Sequence, residues 1–333
     1  MKYGLIEMIK EYININKYTR LIDLDLDKNV DVKFLAQGEY NINYTIESLT
    51  KKYVFRVNIG SQLGLNNQIE YEYNALKYLE GSDVTPKVYF VDNSREYFEY
   101  GILIMEFLKG EPLEYHSDLI KAADIFSKIH SIEIKKNHNF LVEENIFTDR
   151  ITESEILLKN LWDTAFIDKK TKLFFHKLLD WSKYNSYKEK YFLEKPWHVI
   201  NNTEVNSHNF IIGREKSYLI DWEKPVISDP SQDLTQFLAP TTTLWRSNYV
   251  LTQSEIEDFF KSYIRNQKNN KDIRERVELY TPYLYLRALS WCVFAYIEYQ
   301  NPNKTIKNMD TYEKIKSYLD ILFMEQLLKK YNI

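Results

Sequence analysis

The chain has 333 residues, of which 44% are apolar and 28% are charged, and its formal net charge is −4. This length allows two lobes with a sizeable core, and the small net charge gives no reason to expect a nucleic-acid partner. No apolar run reaches the roughly 18 residues that cross a bilayer, and the first residues lack a signal-peptide pattern, so we expect a cytoplasmic protein without membrane contact. The single cysteine, Cys292, fits a reducing compartment, and its apolar segment predicts a buried thiol rather than a nucleophile.

The first hundred residues predict a small antiparallel sheet. After a short amphipathic helix, apolar patterning predicts strands at 32–37, 40–48 and 52–60, followed by a helix at 66–80. Two further strands, at 85–92 and 100–108, complete a five-stranded sheet. A Gly/Pro-containing segment follows at 109–112, which is typical of a lobe boundary. We therefore divide the chain into a first lobe, 1–108, and a second lobe, 109–333.

A buried charge pair is expected between the third strand and the helix that follows it. Arg56 lies in mid-strand with apolar residues on both sides, and Glu72 projects within roughly 60° of the centre of the apolar helix face. A carboxylate on a buried face needs a cation, and Arg56 is the expected partner. Two alternatives stay open: Glu72 could pair with another cation, and Arg56 could simply face solvent.

The rest of the chain is predicted to be mostly helical. Helices are indicated at 118–134, in two stretches between 153 and 192, and at 252–267, 280–300 and 310–330. We expect Ser117 or Asp118 to cap the first of these helices, and Thr252 with Glu255 has the pattern of a capping box. His130 closes the apolar stripe of the first helix, which predicts a packed and hydrogen-bonded histidine.

A short hairpin interrupts the helical region. Apolar runs at 210–212 and 218–220 flank a polar loop that begins with Gly213. In an antiparallel hairpin the start of the first strand lies beside the end of the second, which brings Asn209 next to Asp221. An amide oxygen and a carboxylate at one point form an oxygen-only site of the kind that Mg²⁺ accepts. Glu204 lies five residues before Asn209, and one base with two metal ligands would be a phosphoryl-transfer constellation.

This segment resembles the catalytic and metal-binding loops of the aminoglycoside phosphotransferase and choline kinase family. The family usually has His-Gly-Asp, four residues and then Asn, followed by a strand ending in Asp-Trp-Glu, then Asp-Pro and Asp-Leu. The chain matches with Asn209 and with the residues at 221–223, 229–230 and 233–234, all in the expected order. It departs at 202–204, where Asn-Thr-Glu stands in the place of His-Gly-Asp, so Glu204 takes the place of the usual Asp.

The resemblance implies an α+β, protein-kinase-like fold with a small antiparallel sheet lobe that binds nucleotide and a larger, mostly helical lobe that binds an acceptor. It implies ATP and Mg²⁺ as cofactors, with Glu204 as the catalytic base and with Asn209 and Asp221 as catalytic metal ligands. Asp233 is expected to anchor the catalytic loop, and Glu223 could do the same or meet substrate. The residues that the resemblance assigns to the nucleotide are Gly38 and Asn41 in the phosphate loop, Arg56 with its partner Glu72, and Glu106, Phe107 and Leu108 in the hinge.

The sequence therefore predicts an ATP-dependent phosphotransferase that acts on a hydroxyl of a small molecule, such as an amino alcohol, a sugar or an aminoglycoside. The change at 202–204 leaves open a nucleotide-binding pseudokinase with a regulatory or scaffolding role. A protein kinase is a third alternative, although the chain lacks the Asp-Phe-Gly and Ala-Pro-Glu motifs of that class. All six tryptophans follow the predicted hinge, and they could form a cage for a cationic acceptor or simply pack in the helical core.

Overall fold

The computed structural model describes residues 2–26, 30–61, 64–267, 272–301 and 308–333. Its strands are β1 (Asp31–Gln37), β2 (Asn41–Glu47), β3 (Lys52–Asn58), β4 (Val88–Asp92), β5 (Gly101–Glu106), β6 (Glu111–Pro112), β7 (Leu141–Val142), β8 (Val199–Asn201), β9 (Phe210–Ile212), β10 (Ser217–Leu219) and β11 (Val226–Ser228). Its helices are α1 (Lys2–Asn16), α2 (Gln68–Leu79), α3 (Tyr115–His130), α4 (Ile146–Leu157), α5 (Lys169–Asn185), α6 (Lys190–Glu194), α7 (Ser231–Leu238), α8 (Pro240–Arg246), α9 (Gln253–Arg265), α10 (Ile273–Gln300), α11 (Met309–Tyr318) and α12 (Ile321–Leu328).

These elements form two units, each with a hydrophobic core of its own. The first unit comprises Met1–Leu113, Ser131–Phe140 and His208–Pro225, and the second comprises Glu114–His130, Leu141–Ser207 and Val226–Ile333. The hairpin of β9 and β10 thus belongs to the first unit, whereas the segment that contains Glu204 belongs to the second. The division after residue 108 into a nucleotide-binding lobe and an acceptor-binding lobe stays a prediction.

A five-stranded antiparallel sheet forms the centre of the first unit. Its strand order is β1-β2-β3-β5-β4, and β2 and β3 pair along their whole length, which confirms the predicted sheet. Tyr12 from α1 and Phe55 from β3 pack in one core. The other helix of this region, α2, packs against β4 and β5, and it buries Glu72 along with its apolar residues.

The predicted hairpin is present in the first unit. β9 pairs with β10 on one side and with β6 on the other, and the N–H of Gly213 donates to the C=O of Lys216 at 3.0 Å to close the turn. The second strand begins and ends one residue earlier than its apolar run predicts. Where β6 approaches β9, a Cβ on Gly110 would lie 2.6 Å from the carbonyl oxygen of Ile212, so this position requires glycine.

The second unit is mostly helical, with one small sheet. In this sheet the strand order is β7-β11-β8, with β11 antiparallel to β8 and parallel to β7. The long helix α10 packs against α4, α7 and α11, and α3 packs against α9. Cys292 on α10 is buried, and burial raises the pKa of its thiol to about 12, as expected for a core residue rather than a nucleophile.

Capping residues are predicted at the starts of two helices in this unit. The capping box is confirmed, since the side chain of Thr252 accepts from the backbone of Glu255 at the start of α9. The cap predicted at Ser117 or Asp118 is wrong, because α3 already begins at Tyr115. Asp118 acts from inside the helix instead, where its carboxylate accepts from the N–H of Glu114 at 3.1 Å.

The fold is therefore α+β, with an antiparallel sheet in one unit and a predominantly helical second unit, as predicted. Within the described residues, no helix combines the length and the apolar character that crossing a membrane would take.

Candidate active site

Asn209 and Asp221 lie next to each other at the open end of the β9–β10 hairpin. The N–H of Ile220 donates to the C=O of Asn209 at 2.8 Å, so the strand pairing continues for one residue beyond the assigned strands. Asp221 follows directly and has a φ of 64°, in the left-handed region that Asp tolerates better than most residues. This is the arrangement that the hairpin pattern predicts, and metal binding by the two residues stays a prediction.

Arg56 joins the sheet, the helix and the hairpin of the first unit. Its guanidinium forms an ion pair with Glu72 through Nη1, and it also lies 3.5 Å from Oδ1 of Asp221 and 3.0 Å from Oδ1 of Asn43. Burial by itself would lower the pKa of Arg56, but the charges of Glu72 and Asp221 outweigh it and raise this pKa above its ordinary value. The predicted pairing with Glu72 is thus present, while the assignment of both residues to nucleotide binding stays a prediction.

Among the residues that the structure describes, Glu72 pairs its buried carboxylate with Arg56. Its side chain is 1% exposed, and its second oxygen, Oε2, has no hydrogen-bond partner among the residues that the structure describes. Removing Arg56 would leave this buried charge without its cation, which is far more costly than losing an exposed ion pair. The pair therefore fixes Arg56 at one point of the sheet, with its charge directed to the hairpin end.

A polar network connects the first loop of the sheet to the segment after Asp221. Asn41 donates through its side-chain amide to the carboxylate of Glu223, and it accepts from Asn58 at 2.9 Å. Gln68, at the start of α2, donates to the backbone carbonyl of Glu223. One carboxylate oxygen of Glu223 lies within 4.8 Å of one of Asp221. Asn41, which the family resemblance assigns to the phosphate loop, therefore contacts Glu223 just after the hairpin, and its contact with phosphate stays a prediction.

The remaining residues assigned to the nucleotide lie at two other places in the first unit. Gly38 donates its N–H to the C=O of Asn41 at 2.9 Å, which closes the turn between β1 and β2. Glu106 is the last residue of β5, and its N–H donates to the C=O of Lys87, which directly precedes β4. Phe107 and Leu108 follow β5 and are half-buried. Their contact with a nucleotide stays a prediction.

The segment that contains Glu204 follows β8 in the second unit. The N–H groups of Asn202 and Thr203 donate to the carboxylate of Asp233 at 2.6 and 2.8 Å, and the N–H of Glu204 donates to the side-chain oxygen of Asn202 at 3.0 Å. Asn202 is fully buried, and Thr203 has a φ of 71°. We call residues 202–204 the catalytic loop, after the family segment whose place they take, and a catalytic role of Glu204 stays a prediction. Asp233 anchors it, as the sequence predicts, and Asn202 forms a turn that fixes the backbone of Glu204.

His130 lies behind this anchor. It is buried, its Nδ1 is 3.0 Å from the hydroxyl of Tyr263, and its Nε2 is 3.9 Å from Oδ2 of Asp233. The predicted packed and hydrogen-bonded histidine is confirmed. Because 3.9 Å exceeds a hydrogen bond, His130 contributes packing behind Asp233.

A family model and several solved structures are similar to this chain. The model of a phosphotransferase enzyme family matches residues 31–268, which is more than half of the chain and includes the hairpin, the catalytic loop and the sheet. The chain belongs to this phosphotransferase family. No curated protein gave a match.

Solved structures that resemble the chain share its fold at low sequence identity. A spectinomycin phosphotransferase in complex with ADP and spectinomycin is 17% identical, with a TM-score of 0.64, and 96% of each chain is covered. A choline kinase from Cryptosporidium parvum is 14% identical, with a TM-score of 0.64 and 97% of each chain covered. A choline/ethanolamine kinase family protein from Mesorhizobium loti is 15% identical, with a TM-score of 0.62, and 96% of this chain and 95% of that one are covered. The protein-kinase-like fold expected from the sequence is confirmed.

The catalytic loop departs from the family pattern at a position where the backbone conformation favours Gly. The pattern has Gly at the position of Thr203, and the φ of 71° here is one that Gly adopts without steric cost. A β-branched residue in this region is strained. The two hydrogen bonds to Asp233 show how the loop keeps this conformation in spite of the substitution.

The aromatic residues of the second unit include one cluster around a cation, but that cation is the chain's own. Arg276 lies 5.3 to 5.7 Å from the ring centres of Tyr191, Phe192 and Trp197. This set therefore has the composition of an aromatic cage and already contains a guanidinium. A cage for a cationic acceptor elsewhere in the unit stays a prediction.

Several polar residues of the site escaped the sequence analysis. Asn58 and Gln68 contact Asn41 and Glu223, yet neither carries a motif, and their positions follow from the pairing of β2 with β3 and from the start of α2. The sequence does not distinguish between an anchoring role and a substrate contact for Glu223. The conformation of Thr203 could have been suspected, because it stands where the family pattern has Gly.

Proposed function

We propose that this protein transfers the terminal phosphoryl group of ATP to a hydroxyl group of a small molecule. The observation that carries the proposal is the buried pair of Arg56 and Glu72, whose guanidinium also faces Asp221 at the hairpin end beside Asn209. A cation held in a fixed orientation next to an oxygen-only metal site is the arrangement that phosphoryl transfer requires. Family membership supports the reaction class.

The donor set at the hairpin end fits Mg²⁺. Asn209 offers an amide oxygen, Asp221 a carboxylate, and Glu223 a second carboxylate within 4.8 Å of the first. These are hard oxygen ligands, and few protein ligands are typical where phosphate oxygens and waters complete the shell. When bound, Mg²⁺ neutralises charge on the phosphate oxygens and holds them in place. Asn209 and Asp221 would be its ligands, and Glu223, oriented by Asn41, would support them or join them.

Arg56 would bind phosphate oxygens of the nucleotide. Its charge is permanent at any physiological pH, and Glu72 and Asn43 fix the plane of the guanidinium. The Gly38 to Asn41 turn would lie against the phosphates, and the backbone around Glu106, Phe107 and Leu108 would bind the base. The spectinomycin phosphotransferase with the same fold was crystallised with ADP, which supports a nucleotide in this role.

Glu204 would accept the proton of the acceptor hydroxyl. As that O–H bond breaks, the hydroxyl oxygen bonds to the terminal phosphorus, the bond from phosphorus to the bridging oxygen breaks, and ADP leaves. Glu and Asp have similar reference pKa values, so Glu can serve as the base. The extra methylene shifts the carboxylate by about 1.5 Å relative to Asp, and a backbone fixed by Asp233 and Asn202 would set where it points.

The proposed acceptor is a hydroxylated small molecule, such as an amino alcohol, a sugar or an aminoglycoside. The similar structures are a spectinomycin phosphotransferase, a choline kinase and a choline/ethanolamine kinase family protein, and each of these names points to a small acceptor. A cationic acceptor is one alternative within this class.

The experiment is an assay of ATP consumption and of acceptor phosphorylation over a panel of these compounds, with nucleotide affinity measured in parallel. We expect wild type to phosphorylate one acceptor class, and Glu204→Gln to lose on the order of a hundredfold or more in kcat while it still binds nucleotide. Glu194→Gln is the matched control, since Glu194 is an exposed residue of the same unit that pairs with Lys190.

Full activity in Glu204→Gln would contradict the role of Glu204 as the base. If wild type binds Mg-ATP but phosphorylates no acceptor, the enzyme proposal fails and a nucleotide-binding pseudokinase becomes the better description.

A further inference from the structure

Arg276 is a buried arginine of the second unit that the proposed reaction does not use. It lies on α10 and is 2% exposed. Its Nη1 donates to the carboxylate of Asp229, and its Nη2 donates to the C=O of Lys195 at 2.5 Å and to Asp272 at 3.2 Å. Burial by itself would lower the pKa of Arg276, but Asp229 and Asp272 outweigh it and raise this pKa above its ordinary value.

The two main partners of Arg276 lie at one end of the β8–β11 strand pair. Lys195 comes shortly before β8, and Asp229 directly follows β11. These strands are antiparallel, with Ser228 opposite Val199, so the chain entering β8 and the chain leaving β11 lie side by side. The guanidinium binds both of them, and it thereby fixes this end of the pair to α10.

Both strands lead to the catalytic loop. β8 ends at Asn201 and continues straight into residues 202–204. After Asp229 the chain enters α7, whose Asp233 accepts the N–H groups of Asn202 and Thr203. Asp229 also accepts from the N–H of Ser231 at 3.0 Å, which fixes the first residue of α7. Two separate stretches of chain, β8 and the segment from Asp229 into α7, therefore connect the contacts of Arg276 to the catalytic loop.

The surroundings of Arg276 indicate that stability alone does not explain why the chain has a buried ion pair at this place. Its guanidinium is surrounded by the rings of Tyr191, Phe192 and Trp197. In such an apolar setting, a pair of well-packed apolar side chains often gives the same or greater stability than a buried ion pair. The ion pair in addition fixes the relative orientation of its partners, because the planar guanidinium binds two or three oxygens at fixed angles.

We propose that Arg276 is a positioning residue for the catalytic loop and that it acts through Asp229 and the carbonyl of Lys195. It sets the position of β8 and of α7, and therefore the position of the Glu204 backbone. The consequence for turnover rests on the proposed function, whereas the consequence for the loop itself does not.

The test uses the double variant Asp229→Asn/Arg276→Met in the full chain. Removing both charges avoids an unpaired buried ion, and the amide oxygen introduced at position 229 can still accept from Ser231, so the protein is expected to fold. We expect kcat for the best acceptor to fall by about tenfold to a hundredfold with unchanged nucleotide affinity, because displacements of about 1 Å cost this much in rate. The amides of residues 202–206 should exchange with solvent faster than in wild type.

Two further variants sharpen the interpretation. Arg274→Met is the matched control on the same helix, since Arg274 forms an exposed pair with Glu257, and it should leave kcat and loop exchange unchanged. Arg276→Lys keeps the charge but cannot bind Asp229 and the Lys195 carbonyl in the same geometry, so it should show a reduced kcat and faster exchange of the loop amides.

A folded double variant with wild-type kcat and wild-type exchange in the loop would overturn the proposal. If wild type itself phosphorylates no acceptor, the proposed function has failed, and hydrogen exchange at residues 202–206 still decides whether Arg276 positions the loop. Faster exchange confined to this loop would support the proposal, and unchanged exchange would refute it.

Discussion

Because Thr203 is in the left-handed conformation, we expect a change to Gly at this position to give a more stable protein than a change to Ala, which reverses the usual order. At most positions a change to Gly gives a less stable protein than a change to Ala, because Gly leaves the unfolded chain more freedom. At a φ of 71° the folded state instead penalises any residue with a Cβ. We therefore compare Thr203→Gly with Thr203→Ala, since both changes remove the hydroxyl and differ only in the Cβ.

The magnitude follows from two opposing terms. The left-handed region costs a residue with a Cβ about 1–2 kcal/mol. Against this, the greater freedom of Gly in the unfolded chain costs about 0.4–1 kcal/mol. Thr203→Gly should therefore be more stable than Thr203→Ala by roughly 0.5–1 kcal/mol. The hydrogen bonds to the carboxylate of Asp233 are donated by the backbone N–H groups of residues 202 and 203, so they remain in both variants.

The assay is equilibrium unfolding in urea, followed by tryptophan fluorescence. Most of the tryptophans lie in the second unit together with Thr203, so the signal reports mainly on that unit. With an m value of about 2–3 kcal/mol/M, the midpoints of the two variants should differ by about 0.2–0.5 M urea.

If Thr203→Ala proves as stable as Thr203→Gly, or more stable, then the backbone at residue 203 is not in the left-handed region. The geometric account of the family's Gly would then be wrong for this chain. Equal m values in the two variants are the control that both unfold in the same transition and expose the same surface.

Two other predictions concern the first unit. Burial by itself would raise the pKa of Asp92, but hydrogen bonds from Ser94 and Tyr12 lower it to about 2, against an ordinary value of 3.8. This carboxylate therefore stabilises the fold above pH 4 and loses that effect as the pH falls towards 2. The difference in unfolding free energy between wild type and Asp92→Asn should be roughly 1 kcal/mol smaller at pH 3 than at pH 6. A difference that does not change with pH would contradict this prediction. Gly110→Ala should destabilise the protein by about 1–3 kcal/mol in thermal or urea unfolding, because the new Cβ would lie 2.6 Å from a strand carbonyl. The control is Gly4→Ala, which should be neutral or stabilising, because Gly4 is in a helix and a Cβ there would have no atom within 4 Å. Equal effects of the two changes would refute the steric argument.

The sequence alone predicted the features that depend on local pattern. Alternating apolar residues gave the five strands of the sheet, and the apolar runs around Gly213 gave the hairpin that brings Asn209 beside Asp221. The amphipathic face of α2 indicated a buried Glu72 and its cation Arg56, although these residues are 16 positions apart. Such features are recoverable because periodicity and turn chemistry act over a few residues.

Local pattern was less reliable at the ends of helices. α3 begins two residues before the predicted cap, since Asp118 reaches back to the N–H of Glu114 from inside the helix. α10 begins at Ile273, although its apolar run suggested a start at 280. A helix can extend beyond its apolar stripe wherever other contacts stabilise the extra turns, and the sequence does not record those contacts.

Only the tertiary structure decided how the site is held together. The hydrogen bond from Asn41 to Glu223 joins residues that are 182 positions apart in the sequence, and the bond from Arg276 to Asp229 joins residues that are 47 positions apart. The 202–203 amides bond to Asp233 some 30 residues later, and this bonding keeps Thr203 in a conformation that its residue type disfavours. Partners so distant meet only after strands pair and helices pack, and many polar residues could have filled each role. Residue type and spacing therefore predicted the groups that are proposed to carry the chemistry, while long-range packing selected the residues that position them.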